Sequence, residues 1–203
     1  MKVISIRNLS GLTFALTLGV ASFARAQTGE PPQVAQGTSI ALESDAISFF
    51  IGGYSGIVNV SLRNGFQIAL GTGRYDVPSF LLKGDDNYDA AQWDATVTSV
   101  QVLRAGYRFN GPMVNGPALA AVALNQNWLL RSAPLGGETK FRTLSVGLSG
   151  GYYYHIGNFY VYPTAAFTYN TVRSGQTSVN GTSYKVDKFG PNASVHVGWN
   201  WRL

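Results

Sequence analysis

The chain has 203 residues, 15 lysines and arginines against 10 acidic residues, and no cysteine. That length suits one domain, and the absence of cysteine excludes a disulfide-stapled exported scaffold. Charged residues make up only 12% of the chain while 45% are hydrophobic, which is too little charge for an ordinary water-facing surface.

The first 26 residues read as a secretory signal. Lys2 and Arg7 form a basic start, and Leu9 to Phe23 carries no charge. Ala24-Arg25-Ala26 is a small-x-small cleavage site, so the mature chain is expected to start at Gln27. The apolar run is shorter than the ~20 residues a spanning helix needs, and no cysteine stands near the site to carry a lipid anchor. Three of the basic residues, Lys2, Arg7 and Arg25, lie in this segment. The remainder holds 12 basic and 10 acidic residues, net +2. The basic balance therefore argues for no nucleic-acid partner.

Residues 27–38, with Pro31-Pro32, read as a flexible leader. Beyond it the pattern predicts strands near 39–51, 54–63, 65–77, 93–109, 117–132, 141–156, 159–174 and 185–203. Within the first pair, Asp45 to Tyr54 also fits a strand end, a bend or a short helix. Alternation is the main signal. Val195, Val197, Trp199, Trp201 and Leu203 share one face against Ser194, His196, Gly198, Asn200 and Arg202. Leu144, Val146 and Leu148 oppose Thr143, Ser145, Gly147 and Ser149. Phe66, Ile68 and Leu70 oppose Gln67, Ala69 and Gly71. In 118–131, Val122, Leu124, Trp128 and Leu130 oppose Asn125, Asn127 and Arg131. Strand 93–109 alternates less cleanly, since Val100 and Val102 share a face with Arg104 and Arg108.

Connections alternate in length. Arg63-Asn64-Gly65 and Gly157-Asn158 are tight turns and Asn110 to Pro117 is modest, whereas 76–92, 133–140 and 174–187 are longer and polar. No second apolar run is long enough to cross a membrane as a helix. A bilayer admits only helices and closed barrels, because every backbone polar group in lipid must be paired. Strands near 15 residues, longer than the usual ~5–6, with polar faces of Gly, Ser, Thr and Asn, point the same way. The fold class is therefore all-β, a closed antiparallel up-and-down transmembrane barrel of about eight strands. A soluble lipocalin-like barrel has the opposite polarity, apolar side in. Aromatics cluster beside the short turns (Tyr107, Phe109, Tyr152 to Tyr154, Phe159, Tyr160, Tyr162, Trp199, Trp201). A second set, Trp93, Trp128, Phe141, Tyr169 and Tyr184, stands near the loop side, as two interfacial bands require.

The last eight residues, His196-Val197-Gly198-Trp199-Asn200-Trp201-Arg202-Leu203, resemble the C-terminal assembly signal of outer-membrane proteins. His196, Gly198, Trp201 and Leu203 fill its places, and Leu203 departs from the usual Phe. The resemblance implies insertion by the barrel assembly machinery. Over 39–203 the chain resembles small eight-stranded outer-membrane barrels of the OmpA/OmpW-like class, carried by Gly52-Gly53-Tyr54-Ser55-Gly56, Asp76-Val77-Pro78-Ser79-Phe80, Asn125-Gln126-Asn127-Trp128, Gly137-Glu138-Thr139-Lys140-Phe141 and Tyr162-Pro163. It implies a bacterial outer-membrane location among lipids and lipopolysaccharide, and transfers no activity.

The expected lumen set is Glu43, Asn59, Gln67, Arg104, Arg108, Asn125, Asn127, His196, Asn200 and Arg202, with an ion pair from Glu43 to Arg104 or Arg108. An eight-stranded barrel is just wide enough for side chains to fill, so a plugged core is expected rather than an open pore. A lipid A-modifying enzyme needs a nucleophile beside a base. Of the two histidines, His155 adjoins the Gly157-Asn158 turn on the periplasmic side, and His196 has Ser194 on its face without an acidic partner. No His/Cys cluster builds a metal site, and no cofactor is expected. Loop 76–94 carries Asp76, Asp85, Asp86, Asp89 and Asp94 against Lys83. It reads as a solvated loop, or as a weak Ca²⁺ or lipopolysaccharide-cation contact. The expected role is structural, adhesive or envelope-supporting without catalysis. The alternatives are a passive channel for small or apolar solutes, a lipid A-modifying enzyme, and a soluble periplasmic binding barrel.

Overall fold

The computed structural model describes residues 37–82 and 91–203. The expected signal and most of the expected leader, and Asp85, Asp86 and Asp89 of the acidic loop, lie outside the described residues. The first strand, β1 (Ser39–Asp45), is shorter than the alternation predicts. Asp45 ends it by capping a short helix, α1 (Ala46–Phe50): its carboxylate accepts from the Ile47 N–H at 3.1 Å and the Ser48 hydroxyl at 3.2 Å. Gly52, at φ +75°, takes the left-handed conformation that turns the chain out of the helix. Six strands follow: β2 (Tyr54–Ser61), β3 (Phe66–Val77), β4 (Trp93–Arg108), β5 (Gly116–Ser132), β6 (Gly137–Ile156) and β7 (Phe159–Gly175). The last is β8 (Phe189–Arg202), and a one-turn helix, α2 (Ser79–Leu82), follows β3. A two-rung hairpin, Ser178–Val179 with Thr182–Ser183, decorates the β7–β8 connection.

All eight long strands pair antiparallel with their chain neighbours, and β1 pairs with β8, so the sheet closes. The register sets its geometry. Stepping from Leu42 through Val58, Leu70, Leu103, Ala123, Val146 and Tyr169 arrives at Phe189, whereas Leu42 itself pairs with Trp199. The offset of ten residues is the stagger of the barrel, and it tilts the strands into the ~35–45° range of closed barrels. Each residue then climbs ~2.5 Å along the axis.

The outward face is apolar. Val146 and Trp199 are 43% and 46% exposed, while their neighbours Ser145 and Asn200 are 4% and 0% exposed. Leu42, Val58, Ile68, Leu70, Leu103, Leu119 and Leu148 also point out. Such a continuous exposed belt has no place in water and matches the band a membrane barrel presents to acyl chains. Its lower edge carries Tyr107, Phe109, Tyr154, Phe159, Trp199 and Trp201, all exposed.

Two readings of the upper half need correction. The upper aromatic edge is formed by Tyr54, Phe167, Tyr169 and Phe189. Trp93 and Phe141 instead turn inward, 2% and 4% exposed, into an apolar cluster with Leu82, Ala95, Leu130 and Val179. Trp128 stacks on Phe141 at 5.8 Å between centroids and Tyr184 meets Trp93 edge-on at 6.0 Å. The cause on β4 is a bulge between Val97 and Ser99. One extra residue reverses the inward phase from Val100, Val102 and Arg104 to Trp93, Ala95 and Val97. The second correction is the loop at 133–140. Glycine at 136 (φ +65°) and the Ser132 hydroxyl, which accepts from the Leu135 N–H, close a tight turn, and β6 begins at Gly137.

Candidate functional site

Three layers fill the barrel from bottom to top: a polar plug, a cavity, and the apolar cluster of Trp93 and Phe141. The plug is built on Glu43. Its side chain is ion-paired with Arg104, the two side chains 0% and 5% exposed, and its other oxygen accepts from the Tyr160 hydroxyl at 2.8 Å. The three residues come from β1, β4 and β7. Tyr160 reaches the axis because its cross-strand partner is Gly198; a Cβ there would lie 2.4 Å from the phenol ring. Tyr153 stacks on Tyr162 at 3.8 Å, and the Arg108 guanidinium lies 3.6 Å over the Tyr153 ring. Arg108 also meets His155 Nε2 at 2.6 Å and the Ser61 hydroxyl at 3.4 Å. Gln67 accepts from Tyr153 at 3.0 Å and from Asn59 at 3.3 Å.

Of the expected lumen set, Glu43, Asn59, Gln67, Arg104, Arg108, His196 and Asn200 are buried inside. Arg202 has the inward phase but lies exposed at the lower end. Of the two candidate partners for Glu43, Arg104 is the one paired. Asn125 and Asn127 contradict the lumen reading: they face outward. Directly paired residues share a face, and Val122 is paired with Arg104. Arg104 must face Glu43, so Val122, Leu124 and Gln126 turn inward with it and the asparagines turn out. There Asn125 donates to Gln101 at 2.6 Å and accepts from Arg142 at 2.6 Å, and Asn127 donates to Ser99 at 2.7 Å. These contacts are partly solvated, so Arg142→Ala should change the unfolding free energy by less than ~1 kcal/mol. A larger loss in urea unfolding would contradict that placement.

Tyr153, Tyr160 and Tyr162 belong to the plug rather than to the lower aromatic band. Their signal is present in the sequence, since Tyr160 and Tyr162 alternate with Phe159 and Val161. Of the assembly-signal residues, His196 packs on Tyr162 at 5.9 Å between centroids, Gly198 makes room for Tyr160, and Trp201 and Leu203 are exposed. Among the described residues no cluster of three or more His, Asp or Glu side chains is positioned to hold a metal. Asp76 accepts from the Thr96 hydroxyl at 2.8 Å, and Asp94 is exposed on β4.

Above the plug lies a cavity of about 280 Å³. Val100, Val102, Val122, Leu124 and Ile57 form its apolar wall; Ser149, Thr164, Ser194 and His196 line the opposite side.

No protein-family model and no curated protein matches the chain. Solved structures with similar shape are the N-terminal β-barrel domain of Pseudomonas aeruginosa OprF (TM-score 0.47, 19% identity, 83% of this chain and 100% of that one), Neisserial surface protein A (0.42, 17%, 82% and 94%), and a major outer membrane protein from Thermus thermophilus (0.48, 11%, 81% and 99%). Ring closure and the outward apolar belt show, on their own, that this chain folds as a small eight-stranded membrane-spanning β-barrel.

Proposed function

We propose that the chain is a plugged outer-membrane barrel, non-enzymatic and non-conducting, that serves the cell envelope as a structural or adhesive element through its outer segments. The observation that carries this reading is the filled lumen: Glu43, Arg104, Tyr153, Tyr160 and Tyr162 occupy the axis, and the large side chains are fully or almost fully buried. Export by the N-terminal signal and insertion by the barrel assembly machinery at His196, Gly198, Trp201 and Leu203 belong to the same reading. So does contact with lipopolysaccharide. Arg74, Lys140, Arg142, Arg173 and Lys188 are exposed around the upper half, where phosphorylated headgroups would meet them.

The test is planar-bilayer recording of the purified protein. Ion flow needs a continuous water path, which the plug interrupts, so no discrete conductance steps are expected. Reproducible steps from the unaltered protein would overturn the reading. Unboiled protein should also migrate differently from boiled protein in electrophoresis, because a closed barrel stays folded in detergent.

A further inference from the structure

We propose that the cavity above the plug is a binding site for one uncharged single-chain amphiphile, its alkyl chain against the β4–β5 wall and a carbonyl or hydroxyl head at Arg104 and His196. This goes beyond the envelope role above and depends only on the plug as a floor.

The cavity wall inverts the usual polarity of the fold. Membrane barrels carry polar residues inside and apolar ones outside. In the upper half of β4 and β5 the order is reversed. Val100, Val102, Val122 and Leu124 line the interior, while Gln101, Asn125 and Asn127 point out. The reversal follows from the register to Arg104, but register alone does not require apolar residues at the inward positions: serine or threonine would fit the same pleat. The apolar wall covers one side of a space of about 280 Å³, and along that side an alkyl chain is the better filling.

The floor supplies the second observation. Arg104 and His196 both line the cavity, 4% and 8% exposed. A guanidinium only donates, so a head that reaches the floor beside Arg104 must bring an acceptor.

Charge selects the class of head. Glu43 already neutralises Arg104, and Asp45, on the same cavity wall, adds a carboxylate committed to capping α1. An anionic head would find Arg104 already neutralised by Glu43 and would face the Asp45 carboxylate. A cationic head would oppose Arg104 and could not accept from it. A neutral carbonyl or hydroxyl oxygen meets neither objection.

The experiment uses full-length mature protein in phospholipid nanodiscs with labelled valine and leucine methyl groups, titrated with 1-octanol, octanoate and octyltrimethylammonium. Octanol should give saturable shifts at Val100, Val102, Val122 and Leu124 and move the His196 imidazole nitrogen resonance. The outward Leu70, Leu103 and Leu148 should follow only its partition into lipid. The two charged probes should leave the inward set unmoved. Val122→Phe fills the cavity and should abolish the saturable shifts; Leu124→Phe serves if that variant does not fold, as judged by unboiled mobility. Equal response of inward and outward methyls, saturable shifts that survive either folded filling variant, or an unmoved inward set would overturn the site. Octanoate acting as strongly as octanol would overturn the neutral head. None of these outcomes bears on conductance, so the envelope reading stands or falls separately.

Discussion

Glu43→Ala should lower the unfolding free energy of the barrel by roughly 3–5 kcal/mol, the usual cost of removing one partner from a buried ion pair. Glu43 is 2% exposed and holds both Arg104 and the Tyr160 hydroxyl. Its removal leaves the Arg104 charge in the barrel axis with no carboxylate partner, and Tyr160 with no acceptor. Arg108 cannot help, since it carries the same charge and is held by His155 and Ser61. Most of the loss is thus the penalty of the stranded cation, not the strength of the lost bond. A second variant separates the two: Glu43→Ala with Arg104→Leu removes the stranded charge and should recover much of the stability, because an apolar pair of similar bulk often replaces a buried ion pair at little cost. Urea unfolding from lipid vesicles, followed by unboiled mobility, measures both. An unchanged midpoint for Glu43→Ala would remove the pair from the account of stability.

Gly198→Val should be comparably damaging, and for a reason distinct from recognition by the assembly machinery. A Cβ at this position lies 2.4 Å from the ring and 2.6 Å from the hydroxyl of Tyr160. The phenol must leave the axis, which costs the overpacking strain of ~1–3 kcal/mol and a hydrogen bond to a charged group worth ~1.5–3 kcal/mol. Tyr160→Ala in the same chain removes the clash. The double variant should therefore unfold later than the sum of the two single losses predicts, a coupling that direct contacts show. If both the single and the double variant fail to insert equally in cells yet fold equally well in vesicles, Gly198 acts in assembly alone.

How much of this is legible before folding depends on the separation of the residues involved. Alternation in Phe66–Leu70, Leu144–Leu148 and Val195–Leu203 already carries the strands and their outward faces, because side-chain direction in a strand is a local property with period two. The inward position of Glu43, Gln67 and Asn200 follows from the same local rule, and that of Arg104 from its contact with Glu43. Asn125 and Asn127 mislead because apolar residues on one face of β5 do not say whether that face meets lipid or the interior. Pairing of Val122 with Arg104, and through it the contact with Glu43, settles the direction. Trp93 misleads for a related reason: the bulge near Thr98 shifts the phase of β4 by one residue, and the broken alternation of 93–109 does not say which half faces in.

By itself the sequence determined what is periodic or local: the alternating faces of the strands, and an asparagine-and-glycine turn chemistry at 63–65 and 157–158 to join them. Tertiary structure alone decided which carboxylate meets which guanidinium, which tyrosine needs which glycine, and where the apolar cavity opens. The contacts of Glu43 with Arg104 and Tyr160 join residues 61 and 117 positions apart, and they exist only once ring closure with its ten-residue stagger brings β1, β4 and β7 around one axis.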